Sequence, residues 1–389
     1  MLKIPDYVGP LAFGLKMGVI LPGMDIVEKV FEPLALCHQD GLLTSGDVIC
    51  ITESVVARSQ NNYITLDEVA AEIKGKLNLP DNGKVGVVFP IASRNRFSMI
   101  LKGIARAVPG GEVIVQLSFP DDEVGNQVVP KAVAEKVGKS LITIDDLDGK
   151  GYPHPITGVN YIDFYQEIIR EEGAQPRIIL SNDPRDIVKY KPDGVIAADI
   201  HTRAETKNTI SALFDNCITL DEVCCEGEVY SEWGLLGSNM SAGDRLKLAP
   251  RDGEQIVRRV QVKVKQELGV DVQVIIYGDG AYLDPSSGIY ELADPRAAFA
   301  VTDGLNVLRQ GIKYKYLADQ CYYDNKKSAD EIEAYIRDES TRGDLSENSA
   351  EKEGTTPRRM EDVLASLADL VSGSSDAGTP VVIVKGFLK

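Results

Sequence analysis

The chain has 389 residues, 43% of them hydrophobic, which is enough for two or three domains with sizeable cores. Its 59 acidic residues outnumber its 42 Lys and Arg residues, and the formal net charge of -17 disfavours nucleic acids and anionic membranes as partners. The sequence shows no targeting segment and no apolar run near the roughly 20 residues of a membrane helix, so we expect a cytoplasmic protein.

The six cysteines show no metal-ligand spacing, and three histidines are too few for a histidine-rich zinc site. We therefore expect reduced thiols, most of them buried.

The first predicted strand is the apolar run GDVICIT, and the polar residues 53–62 after it are predicted to form a loop that carries a cation, Arg58. Thr65 and Glu68 then have the spacing of a capping box, which predicts the start of an amphipathic helix.

Between Lys84 and about Leu220, short apolar runs such as KVGVVFP and GVIAADI alternate with helical patterns such as DFYQEIIREEG. This alternation is typical of an α/β unit with a largely parallel sheet. His201, Arg203 and Lys207 follow one predicted strand end, where such a unit can hold a ligand. The alternative for these three residues is a solvated loop.

The pattern GEQIVRRVQVKVKQELG predicts an amphipathic helix, and the alternation of VDVQVII at 270–276 predicts a half-buried strand after it. Asp279 follows between two glycines. A rigid strand can direct such a carboxylate into a crevice as a metal ligand or catalytic acid. The alternative is an Asp-Gly turn without a function.

Residues 324–356 are highly charged and predict an exposed helix followed by a linker. The helical pattern MEDVLASLADLV, the loop SGSSDAGT at 372–379 and the apolar strand VVIVKG follow. The loop lacks the lysine and the strand-loop-helix order of a P-loop, which excludes a Walker-type site. Its small residues can still present backbone N–H groups to an anion, and a plain helix–strand connection is the alternative.

Four segments, taken in order, resemble the coenzyme F(420)-0:L-glutamate ligase family. They are GVILPGMDIVEKV at 18–30, DGLLTSGDVICITESVVARSQ at 40–60, the stretch from SNMSAGDRLKLAP to VIIYGDG at 238–280, and SLADLVSGSSDAGTPVVIVKG at 366–386. The stretch between residues 62 and 235 does not match the shorter archaeal type and looks like an enlarged region.

The resemblance implies an α/β fold in which a mixed α+β ligase-like core is interrupted by an inserted or enlarged α/β region. The core is expected to consist of residues 1–61, residues 236–323, and the closing helix, loop and strand at 357–389. The α/β region at 62–235 separates the first two parts, and the charged helix and linker at 324–356 separate the last two. The family also implies a homodimer.

The activity that the resemblance implies is nucleotide-dependent amide formation. GTP or ATP, with Mg²⁺ or Mn²⁺, would activate a small carboxylate acceptor as an acyl phosphate, and L-glutamate or a similar amine would attack it. A metal is expected because a triphosphate and a carboxylate together concentrate negative charge that must be neutralised. The alternative is a non-catalytic or regulatory protein on the same fold that binds a nucleotide or small ligand.

The resemblance places a metal-binding carboxylate at Asp279 and assigns no catalytic residue. Leu236, Ser374 and Gly280 stand where the family has two further metal-binding acids and a hydroxyl residue. The resemblance therefore implies a metal site with fewer protein ligands, completed by phosphates. The predicted nucleotide-binding residues are Met17, Gly18, Val19, Ile20, Ser54, Arg58, Asn239, Ser372, Gly373, Ser374, Ser375, Asp376, Ala377, Gly378 and Thr379.

Overall fold

A computed structural model describes residues 5, 7–147, 149–279, 282–283, 290–291, 295–309, 312–342, 358–372 and 378–388. Gly280, residues 343–356 of the predicted linker, and the predicted binding residues Gly373, Ser374, Ser375, Asp376 and Ala377 lie outside these ranges.

The strands are, in chain order, β1 (Leu11–Leu15), β2 (Val48–Thr52), β3 (Tyr63–Thr65), β4 (Lys84–Val88), β5 (Glu112–Leu117), β6 (Leu141–Thr143), β7 (Gln175–Ser181), β8 (Gly194–Ala197), β9 (Cys217–Thr219), β10 (Asn239–Met240), β11 (Arg245–Lys247), β12 (Gln273–Tyr277), β13 (Tyr282–Leu283), β14 (Tyr290–Glu291), β15 (Ala298–Val301), β16 (Leu308–Arg309), β17 (Arg358–Arg359) and β18 (Val381–Lys385).

The α-helices are α1 (Ile26–Gln39), α2 (Glu53–Ser59), α3 (Leu66–Lys76), α4 (Phe97–Arg106), α5 (Lys131–Val137), α6 (Tyr161–Glu171), α7 (Arg203–Ser211), α8 (Gly253–Leu268), α9 (Tyr314–Tyr323), α10 (Ala329–Arg342) and α11 (Met360–Ser372). Short 3-10 helices lie at Asp145–Leu147, Pro184–Tyr190, Leu220–Glu222 and Asp303–Leu305.

The first sheet has five strands in the order β1-β18-β2-β12-β15. Within it, β2 and β12 are parallel, with Thr52 opposite Tyr277, whereas the other neighbours are antiparallel. Because parallel strands end at the same edge, the residues that follow Thr52 and Tyr277 come together in space.

Helices cover both faces of this sheet. Alternate residues of β2 point to opposite sides, so Ile49 and Ile51 pack with α1 and α8, whereas Val48 and Cys50 pack with α11. This arrangement shows that the prediction of a half-buried strand at 270–276 is wrong about the burial. From Val274 to Tyr277 every residue of β12 is buried, because a central strand between two helical layers has no solvent face.

The second sheet has six strands in the order β6-β7-β5-β4-β8-β9, and all of them lie between residues 84 and 219. All neighbours are parallel except β6 with β7, in agreement with the predicted α/β unit. The order of the parallel strands reverses between β4 and β8. The boundaries of this region at residues 62 and 235 stay a prediction.

A third sheet, β10-β11-β3, lies beside the two larger ones and connects the segments at 63–65 and 239–247. The predicted capping box is confirmed: Thr65 accepts the N–H of Glu68, and the Glu68 carboxylate accepts the N–H of Thr65. The prediction of a loop after β2 is wrong for residues 53–59, which form the helix α2. This helix is only two turns long, and its polar residues line a cavity, so its sequence lacks a clear apolar stripe.

The cysteines are free and five of the six are buried, as expected. Among the helices in the described ranges, none is both long enough and apolar enough to cross a membrane. Together the sheets give the mixed α/β architecture that was predicted.

Candidate functional site

A cavity of about 900 Å³ opens beside the carboxyl ends of β2 and β12. Its walls come from distant regions of the chain: the segment before α1, the start of α2, the β10–β11 hairpin, the end of α11 and the loop between β4 and α4. The predicted residues that line it are Gly18, Val19, Ile20, Ser54, Arg58, Asn239, Asp279, Ser372, Gly378 and Thr379.

The N-terminal and C-terminal segments of the site touch each other. Met17 does not line the cavity, but its backbone N–H donates to the carbonyl of Gly378 over 3.4 Å. Gly14 permits the close approach, because a Cβ atom there would lie 2.7 Å from Cβ of Thr379. Gly18 has φ of +70°, a left-handed conformation that favours glycine.

A buried ion pair that was not predicted lies in the cavity wall. The ammonium group of Lys247 on β11 donates to the Glu53 carboxylate over 2.9 and 3.1 Å and to Ser54 Oγ over 3.0 Å. Lys247 is 7% and Glu53 8% exposed. Glu53 could have been found, because it follows β2 at the same sheet edge at which Asp279 follows β12. Lys247 could not, since a lysine in the alternating run DRLKL is typical of a solvent-facing strand position.

Asp279 forms an ion pair that sequence reasoning also missed. The guanidinium of Arg96, in the loop between β4 and α4, donates to its carboxylate. The side chains are 16% exposed for Arg96 and 28% for Asp279, so the pair is reached by solvent from the cavity. The predicted metal ligand thus faces a cation of the protein itself, and the α/β region contributes directly to the site.

Hydrogen bonds to the neighbouring backbone hold the loop that carries Arg96. Asp122 accepts the N–H of Ala92 over 2.7 Å, and the Tyr165 hydroxyl accepts the N–H of Ser93 over 2.9 Å. That hydroxyl donates to the carbonyl of Ile91 over 2.7 Å. Burial raises the pKa of Asp122 to about 6 and that of Tyr165 well above its usual value, so Tyr165 keeps its proton.

The same loop is joined to the small sheet. The N–H of Met240 donates to the carbonyl of Asn95 over 2.7 Å, and both residues line the cavity. The N–H of Arg96 donates to Ser93 Oγ over 3.1 Å. These hydrogen bonds hold the loop backbone at Asn95 and Arg96 beside the cavity.

Arg58 is the cation of the cavity whose charge is most available to a ligand. It lies in the last turn of α2, is exposed, and forms no ion pair with another residue in the described ranges. A guanidinium in this position can bind phosphate or carboxylate through two parallel hydrogen bonds.

The closing helix is anchored at the cavity by a strand residue. The hydroxyl of Tyr277, at the end of β12, donates to Ser372 Oγ over 2.8 Å, and both groups are buried. Burial raises the pKa of Tyr277, which keeps the hydroxyl protonated as a donor. The last turn of α11 thus holds Ser372 and Asp369 in the cavity wall.

The second predicted site, at His201, Arg203 and Lys207, does not line the cavity. Arg203 Nε donates to Asp221 over 2.8 Å, and Lys207 donates to Glu222 over 2.6 and 2.7 Å. These carboxylates neutralise the two cations, which reduces their attraction for an anionic ligand. The backbone N–H of His201 donates to Glu123 over 3.2 Å. A ligand site there stays a prediction.

The described residues meet only some of the needs of a divalent cation. Asp279 supplies one carboxylate, but no group of three His, Cys, Asp or Glu side chains in the described ranges could hold a metal by itself. Mg²⁺ commonly uses one or two carboxylates with phosphate oxygens and waters. A cation here would need most of its ligands from phosphate oxygens or waters, because Asp279 is the one carboxylate that the resemblance assigns to it.

The mixed α/β architecture, with a polar cavity at the ends of parallel strands, is that of an α/β protein with a site for a small ligand. A family model described as F420-0:Gamma-glutamyl ligase matches residues 14–386, which is nearly the whole chain and includes the α/β region. The chain belongs to this family, as its sequence segments predicted. No curated protein matches the chain.

Proposed function

We propose that the chain is a nucleotide-dependent ligase that adds L-glutamate, or a similar amine, to a small carboxylate acceptor. The observation that supports this proposal best is the cavity of about 900 Å³ in a member of the F420-0:gamma-glutamyl ligase family. It gathers predicted nucleotide-binding residues from distant segments beside Asp279 and three basic side chains, Arg58, Arg96 and Lys247.

The reaction has two steps. An oxygen of the acceptor carboxylate attacks the γ-phosphorus of GTP or ATP, and the bond to the bridging oxygen breaks as the nucleoside diphosphate leaves. The amine then attacks the acyl carbon, phosphate departs with the electrons of the C–O bond, and the nitrogen loses a proton to give the amide. Asp279 would hold Mg²⁺ or Mn²⁺, which would supply positive charge to neutralise the phosphates.

The residues of the chain would position the reactants. Gly18, Gly378 and Asn239 line the cavity; the two glycines would offer backbone N–H groups to phosphate oxygens, and the Asn239 side chain would bind the nucleotide by hydrogen bonds. Arg58 would bind phosphate, since its guanidinium has no ion-pair partner in the described ranges. Ser54 Oγ accepts from Lys247 and can still donate to a ligand.

A thermal-shift screen tests nucleotide binding. GTP and ATP are each added with and without Mg²⁺ or Mn²⁺, and a ligand that binds only the folded state raises the melting temperature. The ligase step is tested with L-glutamate and F(420)-0 as the first acceptor, by mass spectrometry of the glutamyl product and assay of nucleoside diphosphate. Absence of any nucleotide-dependent shift would contradict the proposal.

Asp279→Asn is the matched variant for the metal. It keeps the shape of the side chain and removes the negative charge, so we expect loss of the metal-dependent component of nucleotide binding and of turnover. The side chain is 28% exposed and lies at a strand end, so the fold should persist. If the variant binds metal and nucleotide as well as the parent does, Asp279 is not a metal ligand, and its described role is the ion pair with Arg96.

The second candidate is a nucleotide-binding protein without ligase activity. It is favoured by the Arg96–Asp279 pair and by the lack of a three-ligand metal group within the residues that the structure describes. Nucleotide binding without product or nucleoside diphosphate would support it. A homodimer is proposed for either function, and light scattering tests it.

A further inference from the structure

We propose that Lys247 is a positioning residue of the cavity, which orients the Ser54 hydroxyl as a hydrogen-bond donor to a bound oxyanion. The proposal rests on the proposed function, since it takes this oxyanion to be a phosphate group of the nucleotide. It assigns a role in binding to a buried lysine that lies 193 positions after its serine partner in the chain.

The first step is the surroundings of the ammonium group. Lys247 Nζ lies 2.9 and 3.1 Å from the two carboxylate oxygens of Glu53 and 3.0 Å from Ser54 Oγ. An ammonium group has three hydrogens, and three acceptors thus lie within hydrogen-bonding distance of them. Because Lys247 is also only 7% exposed, it has little capacity left to donate to a ligand. Its effect on a ligand must therefore act through Ser54.

The second step is the direction of the serine hydroxyl. An ammonium group carries no lone pair, so Ser54 Oγ can only accept from Lys247, and its own hydrogen points elsewhere. In the part of the chain that the structure describes, no other group takes this hydrogen in a hydrogen bond. Ser54 is exposed and lines the cavity, so its hydroxyl is available as a donor to a ligand there.

The third step is the neighbour of Ser54 on α2. Arg58 follows four residues later, lines the same cavity and has no ion-pair partner among the residues described. Side chains four residues apart lie on one face of a helix, so this hydroxyl and this guanidinium can bind the same oxyanion. Lys247 then holds the neutral donor of the two in the orientation that binding needs.

The ion pair permits a test in which the charge of the cavity wall does not change. Glu53 and Lys247 carry opposite charges, so replacing both by Met removes the donor to Ser54 and leaves the net charge as it is. A change in affinity then reports the lost orientation of the hydroxyl rather than a lost long-range attraction.

The experiment is a double-mutant cycle on affinity, measured by calorimetry in one Mg²⁺ buffer. The probes are inorganic tripolyphosphate and a GTP analogue with an imido bridge between the β and γ phosphates. Ser54→Ala is made in the parent and in the double variant Glu53→Met with Lys247→Met. Ser59→Ala is the control, because its hydroxyl donates to the carbonyl of Val56 over 2.7 Å on the same helix, outside the cavity lining.

We expect Ser54→Ala to weaken binding about tenfold in the parent but only about threefold in the double variant, where the hydroxyl is free to turn away. Ser59→Ala should bind as the parent does. Equal effects of Ser54→Ala in both backgrounds, or no effect in the parent, would overturn the proposal. Circular dichroism checks folding, and Glu53→Gln with Lys247→Met replaces the double variant if that one does not fold.

Failure of the proposed function gives a different result. If tripolyphosphate shows the expected pattern and the GTP analogue binds to no protein, nucleotide dependence fails and Lys247 keeps its role. If the analogue binds and the effects in the cycle are additive, only the role of Lys247 fails. Absence of binding by both probes would contradict both proposals.

Discussion

Replacing Lys247 by Met should destabilise the fold, because it leaves the Glu53 carboxylate in the cavity wall without its ammonium partner. Both residues are more than nine-tenths buried, and the ammonium group lies 2.9 and 3.1 Å from the two carboxylate oxygens. Met has a similar length and keeps the apolar contacts of the lysine stem, so the change removes mainly the charge and the hydrogen bonds.

The magnitude follows from the burial of the pair. Loss of one partner of a buried ion pair costs about 3–5 kcal/mol. Water in the adjacent cavity can reach Glu53, so we expect the lower end, about 3 kcal/mol in the free energy of unfolding. Replacing both Glu53 and Lys247 by Met also removes the buried carboxylate and should restore most of this loss, which gives a coupling energy of about 2 kcal/mol or more.

Urea unfolding followed by the fluorescence of the single tryptophan, Trp233, measures these differences. Lys29→Met is the control. Its pair with Glu32, at 2.7 Å, lies on the surface of α1 and should contribute little. A Lys247→Met variant as stable as the parent, or a double variant no more stable than the single one, would refute the assigned role of the pair.

Two further predictions concern the cavity and its loop. Arg58→Ala should weaken nucleotide binding by about 1.5–3 kcal/mol in calorimetry, the contribution of a charge-assisted hydrogen bond, and unchanged affinity would remove Arg58 from the phosphate site. For Asp122, burial raises the pKa from 3.8 to about 6, so its contribution to stability is fully present below pH 4 and is lost as the pH rises through about 6. Between pH 4 and pH 7, the free energy of unfolding of Asp122→Asn should therefore rise by about 3 kcal/mol relative to that of the parent, as measured by urea unfolding. If the two proteins show the same pH dependence of unfolding free energy, the raised pKa of Asp122 is contradicted.

The elements that local patterns encode could be predicted. The capping box at Thr65, the amphipathic helix α8 and the strand β12 depend on residues close in sequence, and the structure contains all three. The parallel pairing of β2 with β12 then places Glu53 and Asp279 at one sheet edge. Much of the cavity was found in this way, because its lining residues follow strand ends or lie in the segments that resemble the family.

The partners of these residues could not be predicted, because no local pattern encodes them. Arg96 meets Asp279 only when two sheets are folded and packed, and the sequence between them contains most of the α/β region. Lys247 is buried in the cavity wall, although the alternation of polar and apolar residues in its strand is typical of a strand with one face in solvent. The sequence predicts a loop at α2 because seven residues are too few to show a periodic apolar stripe.

The position of β18 has a consequence for the order in which the molecule is assembled during synthesis. This strand, at Val381–Lys385, lies between β1 and β2. Both strands therefore lack this partner until β18 is translated, after all the other strands that the structure describes. The six-stranded sheet needs only residues up to 219 and can form on the ribosome well before. The cavity is therefore completed last, when Gly378 and Thr379 emerge, and a nascent chain lacks the complete cavity before the five-stranded sheet has closed.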